Sequence, residues 1–360
     1  MRLRLDRPAP HVTGLAAALA ALLAAAPLAA QSAERFTLDG RDVTVYDPAG
    51  RVRLVAGSGP DVAVEVTRGG RDAGRLRVQT ADGGRALVVI PPEGDLVYPA
   101  LGRHSRATFR LKRDGTFDGN SGGMFDRGRL TVRGSGDGTE AWADMVVRVP
   151  RGARVTVHVG AGVAEASNVA ADLTLRLQAA EARTEGTRGR LLVDAGSGAV
   201  RVRDAEGDDI NLDTGSGSVE VHGVRARRLR IDTGSGSARG GDLSADRLEF
   251  DAGSGSARLD RVRARSIDLD TGSGSVDVEL TDDVDDLRAD TGSGSVTLRL
   301  PSSLGASLDV DTGSGGIEVE VPVSEVTRRE RDHLTGRLGD GRGRMVIDTG
   351  SGSVRLLRGR

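Results

Sequence analysis

One five-residue phrase, Asp-Thr-Gly-Ser-Gly or its Asp-Ala-Gly-Ser-Gly variant, returns eight times in the second half of the chain. Its spacing constrains the fold more than any other feature. The aspartates are Asp194, Asp213, Asp232, Asp251, Asp270, Asp290, Asp311 and Asp348, at steps of 19, 19, 19, 19, 20, 21 and 37. A fixed period of this length marks a fold built by stacking one supersecondary unit on the next. Counted from each Asp, positions −3 and −1 are apolar in most copies, as in Ile210 and Leu212, or Leu229 and Ile231. Positions +6 and +8 are apolar too, as in Val219 and Val221, or Val276 and Val278. Both pairs have the period of two of a strand with one buried face. From −1 to +6 is an odd number of steps, so an undistorted strand would put the pairs on opposite faces. The spacing therefore predicts a corner at Gly-Ser-Gly, where glycine would tolerate the dihedrals of a bend.

A single such ribbon cannot bury its apolar face, but a stack of them can, with equivalent strands pairing in parallel about 4.8 Å apart. The predicted fold is all-β, a single-stranded parallel β-helix or β-solenoid with coils of about 19 residues. The outward positions agree. Stacking makes equal positions of adjacent coils into cross-strand neighbours, where opposite charges help. Position +7 reads Arg201, Glu220, Arg239, Arg258, Asp277, and position −2 reads Asn211, Arg230, Glu249, Asp268, Arg288, Asp309. Six of the eight charged neighbours in these columns are opposite in sign. A flexible Gly/Ser linker would show neither this nor the apolar alternation.

Composition fits a thin repeating core. Aromatic residues make up 2% of the 360 residues. There is no cysteine, which removes disulfides, thiolate metal sites and cysteine nucleophiles. Arg2, Arg4 and Arg7 precede the apolar run 14–26, which is too short to cross a bilayer comfortably, so residues 1–30 read as a secretory signal peptide cleaved between Ala29 and Ala33. Export to the periplasm, cell surface or medium follows, with no transmembrane segment in the mature chain. Its removal leaves 47 basic and 51 acidic side chains, a net charge of −4. The basic residues look scattered, and no nucleic-acid partner is expected.

Residues 31–150 read as an N-terminal β-rich part, with an irregular, Gly- and Asp-rich excursion at about 101–140 taken as a loop for want of apolar periodicity. Residues 151–360 read as the regular solenoid. An insertion at about 322–344 is a degenerate coil or a flap over an open end.

Asp-Thr-Gly after an aliphatic residue is also how an aspartic protease presents its carboxylate. That chemistry needs two carboxylates sharing a proton across a cleft, not eight in a ladder on one side of a rod. The eight aspartates are read instead as structural repeat corners, accepting hydrogen bonds from backbone N–H groups two or three residues on. Calcium β-rolls use Gly-Gly-x-Gly-x-Asp-x-aliphatic units, and two residues after the second glycine of its Gly-Ser-Gly this chain has Val, Ala or Ile in place of the Asp. His104, His158, His222 and His333 follow no metal spacing. No catalytic, cofactor-binding or metal residues are assigned, and no cofactor is expected.

The "TGSGSV" repeats, the segment "MVVRVPRGARVTVHVGAG" (145–162) and the ending "LTGRLGDGRGRMVIDTGSGSVRL" (334–356) resemble bacterial exported proteins of the putative-adhesin family, a domain of unknown function with β-strand repeats. The resemblance covers roughly 35–358 and is strongest from 145 onward. It implies a β-helix-like fold and export, and supplies no catalytic residues. The sequence thus points to an exported, non-enzymatic surface protein or scaffold, whose partner is a glycan, a protein or itself. The alternatives are an end-to-end self-assembling structural protein and a polysaccharide-active β-helix enzyme.

Overall fold

A computed structural model describes residues 33–117 and 127–359; the signal-peptide expectation over 1–30 lies outside the described residues. The predicted stacking is seen directly in the register. The Val219–Thr233 strand pairs in parallel with Ala238–Ala252, and every partner is 19 residues on: Leu229 faces Leu248, Ile231 faces Phe250, and Asp232 faces Asp251. The next pairing, Ala238–Ala252 with Ala257–Thr271, repeats that offset. Val219, Val221, Val224, Leu229 and Ile231 all point inward and are at most 1% exposed. The chain therefore does turn at Gly-Ser-Gly, bringing both apolar pairs to one interior. Each fully buried Val, Leu or Ile contributes about 1.5–3 kcal/mol, which is how a coil poor in aromatic residues holds together.

A second corner carries no Gly-Ser-Gly signature. Asn168, Asp204, Asp242 and Arg261 have φ values of 53°, 51°, 58° and 51°, and Gly186 and Gly223 occupy the same place in their coils at 64° and 66°. Left-handed backbone suits Gly, Asn and Asp. Arg261 departs from that preference and is held to Asp242 of the preceding coil by two hydrogen bonds of 2.7 and 2.6 Å.

Chain order and stacking order differ at the C-terminal end. Asp286–Thr291 pairs with Gly343–Thr349, which pairs in turn with Ala306–Thr312. The last coil of the chain is thus inserted between the Asp290 and Asp311 coils. This explains the 37-residue step. The chain runs past the Asp311 coil, forms the hairpin of Ser324–Arg329 and His333–Leu338, then returns. The hairpin pairs antiparallel with the outer edge of Ala306–Thr312 and covers it. The hairpin falls within the insertion expected at about 322–344. The insertion also separates two expected neighbours, since Arg288 lies beside Val346 and not Asp309.

At the other end Asp42–Gly57 is itself a coil, in register with Arg154–Ser167. Antiparallel strands finish this end: Val62–Gly69 pairs with Trp142–Pro150 and Glu34–Leu38, and Arg77–Ala81 pairs with Ala86–Ile90. Residues 33–360 group as one unit, so position 150 marks a change of regularity and not a break in the core. The stack has eleven layers among the described residues, from the Asp42–Gly57 coil to the Asp311 coil, and a length of about 50 Å at strand spacing.

Among the described residues of 101–140 there are strands where a loop was expected. Arg106–Lys112 pairs antiparallel with Arg127–Arg133, in a four-stranded sheet completed by Leu96–Val97 and Thr139–Glu140. Residues 118–126 lie outside the described residues. The alternation is present but short: Ala107 and Phe109 face Val132 and Leu130 on the buried side. This sheet packs on the outside of the first coils, where Ala49 and Ala161 stand, and forms a second core with Tyr98 and Phe117. Most of the aromatic contacts among the described residues gather there. Tyr46 stacks on His158 at 4.4 Å, and Phe109 meets Phe117 at 5.1 Å.

Candidate functional site

The eight repeat aspartates form one column. In spatial order it runs Asp194, Asp213, Asp232, Asp251, Asp270, Asp290, Asp348, Asp311, each a direct register partner of the next. Asp232 and Asp290 are half-buried and the other six exposed. All stand side by side on one sheet, so the paired Asp-Thr-Gly of a protease cleft is not the geometry they adopt. Like carboxylates at strand spacing repel one another. Burial, followed by the charges of Asp232 and Asp194, holds the Asp213 carboxyl above the usual aspartate range. Burial raises Asp270 in the same way, ahead of Asp290 and Asp251, and it raises Asp348, ahead of Asp290 and Asp311. The repulsion is relieved at intervals. Arg230 donates to Asp232 at 2.9 Å, Arg288 to Asp290 at 3.2 Å, and His333 Nδ1 lies 2.9 Å from Asp311. His333 Nε2 also lies 3.6 Å from Asp309, so the cap hairpin brings a histidine to the end of the column that no sequence spacing revealed.

The hydrogen bonds that close the corner belong to the neighbouring threonine, not to the aspartate to which the sequence reading gave them. Thr214, Thr233, Thr271, Thr291, Thr312 and Thr349 are at most 1% exposed. Gly217 N–H donates to Thr214 Oγ1, and Gly274 N–H to Thr271 Oγ1, both at 3.0 Å. Thr233, Thr291 and Thr349 instead donate to the carbonyls of Gly236, Gly294 and Gly352 at 2.6–2.7 Å. The reason is directional. The strand points Thr inward at the corner, where a buried hydroxyl and a buried glycine backbone satisfy one another, while Asp points to water.

The corner glycines are not there for unusual dihedrals, since none of those in the Gly-Ser-Gly phrases has positive φ. They are there for closeness. A Cβ on Gly236 would sit 1.7 Å from the Gly217 carbonyl oxygen of the adjacent coil, and one on Gly255 1.7 Å from that of Gly236. Gly274, Gly294 and Gly352 repeat the contact at 1.7–1.8 Å. The second glycine of each phrase is therefore the point where successive coils touch backbone to backbone.

Asp47 is the exception in the interior. It occupies the threonine place of the first coil, opposite Val159, and is fully buried. One carboxylate oxygen accepts from Ala49 N–H at 3.2 Å, while Oδ2 has no partner among the described residues. Burial pushes its carboxyl well above the usual range, with Asp144 adding to the effect. Elsewhere the surface is laced with ion pairs between coils, such as Arg201 with Glu181 at 3.1 Å and Arg258 with Asp277 at 3.0 Å. Among the described residues no three His, Asp or Glu side chains are placed to hold a metal ion, and no helix is long and apolar enough to cross a membrane.

Comparison with curated proteins gives no match. A solved structure described as a putative cell adhesion protein from Clostridium sporogenes ATCC 15579 is similar at 7% identity, covering 91% of this chain and 100% of that one, with a TM-score of 0.19. Residues 138–357, more than half of the chain, match the family described as Toastrack DUF4097. On that match, and with the in-register coils that fill the same span, the chain belongs to the Toastrack DUF4097 family.

Proposed function

We propose that this protein is an exported, non-enzymatic component of the cell envelope, whose solenoid presents a stiff repeating surface for adhesion or scaffolding. The observation that carries this reading is the unbroken register of the Asp column through the stack. A rod of this kind holds many equivalent surface positions at fixed spacing without a hinge, which suits multivalent presentation. The short apolar run 14–26 behind three arginines supports export. Fractionation of the native cells is the test: recovery in the envelope or medium is expected, and recovery in the cytosol overturns the reading. Release of reducing ends from a glycan panel would overturn its non-enzymatic part.

End-to-end self-assembly is favoured by one observation. Among the described residues the Ile317–Val319 strand pairs on one side only, with Val354–Arg358, and the cap hairpin covers its neighbour instead. Unpaired edges recruit other strands. A concentration-dependent rise in light scattering by the mature chain would support this reading, and a monomer at all concentrations would remove it.

A further inference from the structure

We infer that the outer face of the hairpin formed by Arg106–Lys112 and Arg127–Arg133 is a docking surface for a carboxylate-bearing acidic polysaccharide. The hairpin buries Ala107, Phe109, Leu130 and Val132 against the first coils, so Arg106, Thr108, Arg110, Lys112, Arg129, Thr131 and Arg133 face away from them. Those residues are all basic or threonine. In register, Arg106 stands opposite Arg133, Thr108 opposite Thr131, Arg110 opposite Arg129, and Lys112 opposite Arg127.

Like charges directly opposite one another cost stability, and two of these pairs, Arg106 with Arg133 and Arg110 with Arg129, are like-charged. Many arginines on the coils are met by acids, as in Arg263 with Asp282 at 3.3 Å or Arg261 with Asp242 at 2.6 Å, and those that are not, such as Arg225, Arg239 and Arg265, lie apart in sequence and not as opposed pairs along one hairpin. Among the described side chains of this face only Arg133 is neutralised, by Asp95 at 2.7 Å. Arg106, Arg110, Lys112 and Arg129 have no acidic partner among the described residues, and the three arginines are exposed. In a chain whose acids outnumber its bases, an uncompensated basic face asks for an external anion.

Its shape selects among anions. From Arg106 to Lys112 the row extends about 20 Å along an extended strand, which suits a linear polymer. At one end the hairpin borders a cleft of about 640 Å³, lined by Arg77, Lys112, Arg113 and Arg129 together with Leu111, Leu130 and Ile90, and Glu93 is its one acidic lining residue. Guanidinium groups bind carboxylates through paired N–H donors, and the central Thr108 and Thr131 hydroxyls, 3.4 Å apart, supply the neutral hydrogen bonds a sugar needs. Phe109, Phe117 and Tyr98 are buried beneath the sheet, so no stacking platform for nucleic-acid bases lies on this face. No large apolar side chain projects from it to wedge into a lipid surface.

The inference rests on the envelope reading for access to such a polymer, but binding is tested separately from localisation, so either can fail alone. The experiment is titration of the purified mature chain with polygalacturonate, at low and high salt, with neutral dextran as the comparison. Binding to polygalacturonate that weakens with salt is expected, with no binding to dextran. R110S/K112S/R129S should lose about tenfold or more in affinity. A control, R225S/R239S/R265S, removes equal charge from the solenoid and should bind as the parent does. Because the first variant relieves a like-charge pair, its unfolding temperature should stay equal or rise, which separates lost binding from lost folding. No binding to polygalacturonate, equal losses in both variants, or binding only to duplex DNA or to anionic vesicles would overturn the proposal.

Discussion

At the scale of single residues, the repeat phrase divides its work among neighbours that the sequence shows only as a unit. Gly255 has no room for a methyl group, because the Gly236 carbonyl of the preceding coil occupies that place. Gly255→Ala should therefore cost about 3 kcal/mol or more, while Ser254→Ala at the exposed tip should stay within about 0.5 kcal/mol. Denaturant unfolding of the two variants checks this. The aspartate column makes a prediction of opposite sign. Asp213 and Asp270 have folded values raised above those of an unfolded chain, by burial first and by neighbouring carboxylates second. A raised carboxyl stabilises the fold where it is protonated, and that contribution is lost as pH rises through the folded value. Replacing both with Asn should thus raise stability at neutral pH by about 0.5 kcal/mol for each like-charge contact relieved. The gain should vanish below the usual aspartate range, where parent and variant are both neutral. Thermal unfolding at neutral and acid pH reads the difference. A gain that persists in acid would mean that repulsion along the column is not its source.

At the scale of elements, strand existence and direction were legible, and the connections between strands less so. The period-two pairs around each Asp specified the parallel strands because each coil repeats the same burial problem. The left-handed corner at Asn168, Asp204 and Asp242 was not read, although a column of Asn, Asp and Gly at the coil period was available as its signal. The hairpin at 106–133 was taken as a loop because each strand has only two or three inward residues, too few for periodicity to rise above the Gly-rich stretch between them. The cap hairpin was half legible. Its excess length marked an insertion, but its docking place depends on Leu334 and Leu338, which are at most 5% exposed against the core. Leu334→Ala should cost about 2–4 kcal/mol. Amide exchange in Ala306–Thr312 should rise before that of the central coils, because the edge this hairpin covers would open first. Uniform loss of protection along the stack would show that the hairpin is not a local cap.

At the scale of the whole molecule, a solenoid is stabilised by neighbour on neighbour, and its two ends are where that logic stops. Truncation after Leu300 removes the inserted coil, the Asp311 coil and the hairpin together. The Asp290 coil is then left with bare parallel edges, and light scattering should report soluble oligomers or aggregate where the full chain does not. The sequence by itself determined the all-β class, the stacking direction, the inward and outward positions and the absence of cysteine chemistry. Each of these follows from local periodicity repeated many times, so that errors in one coil are corrected by the others. Tertiary structure alone decided the order of the last coils, the cap, the donors at the corner and the basic outer face. Each of these depends on which distant segment happens to lie beside another. Arg110 and Arg129 are nineteen positions apart in an irregular stretch, and only strand pairing makes them neighbours. Asp311 and Asp348 lie 37 apart, and only the returning chain sets them side by side.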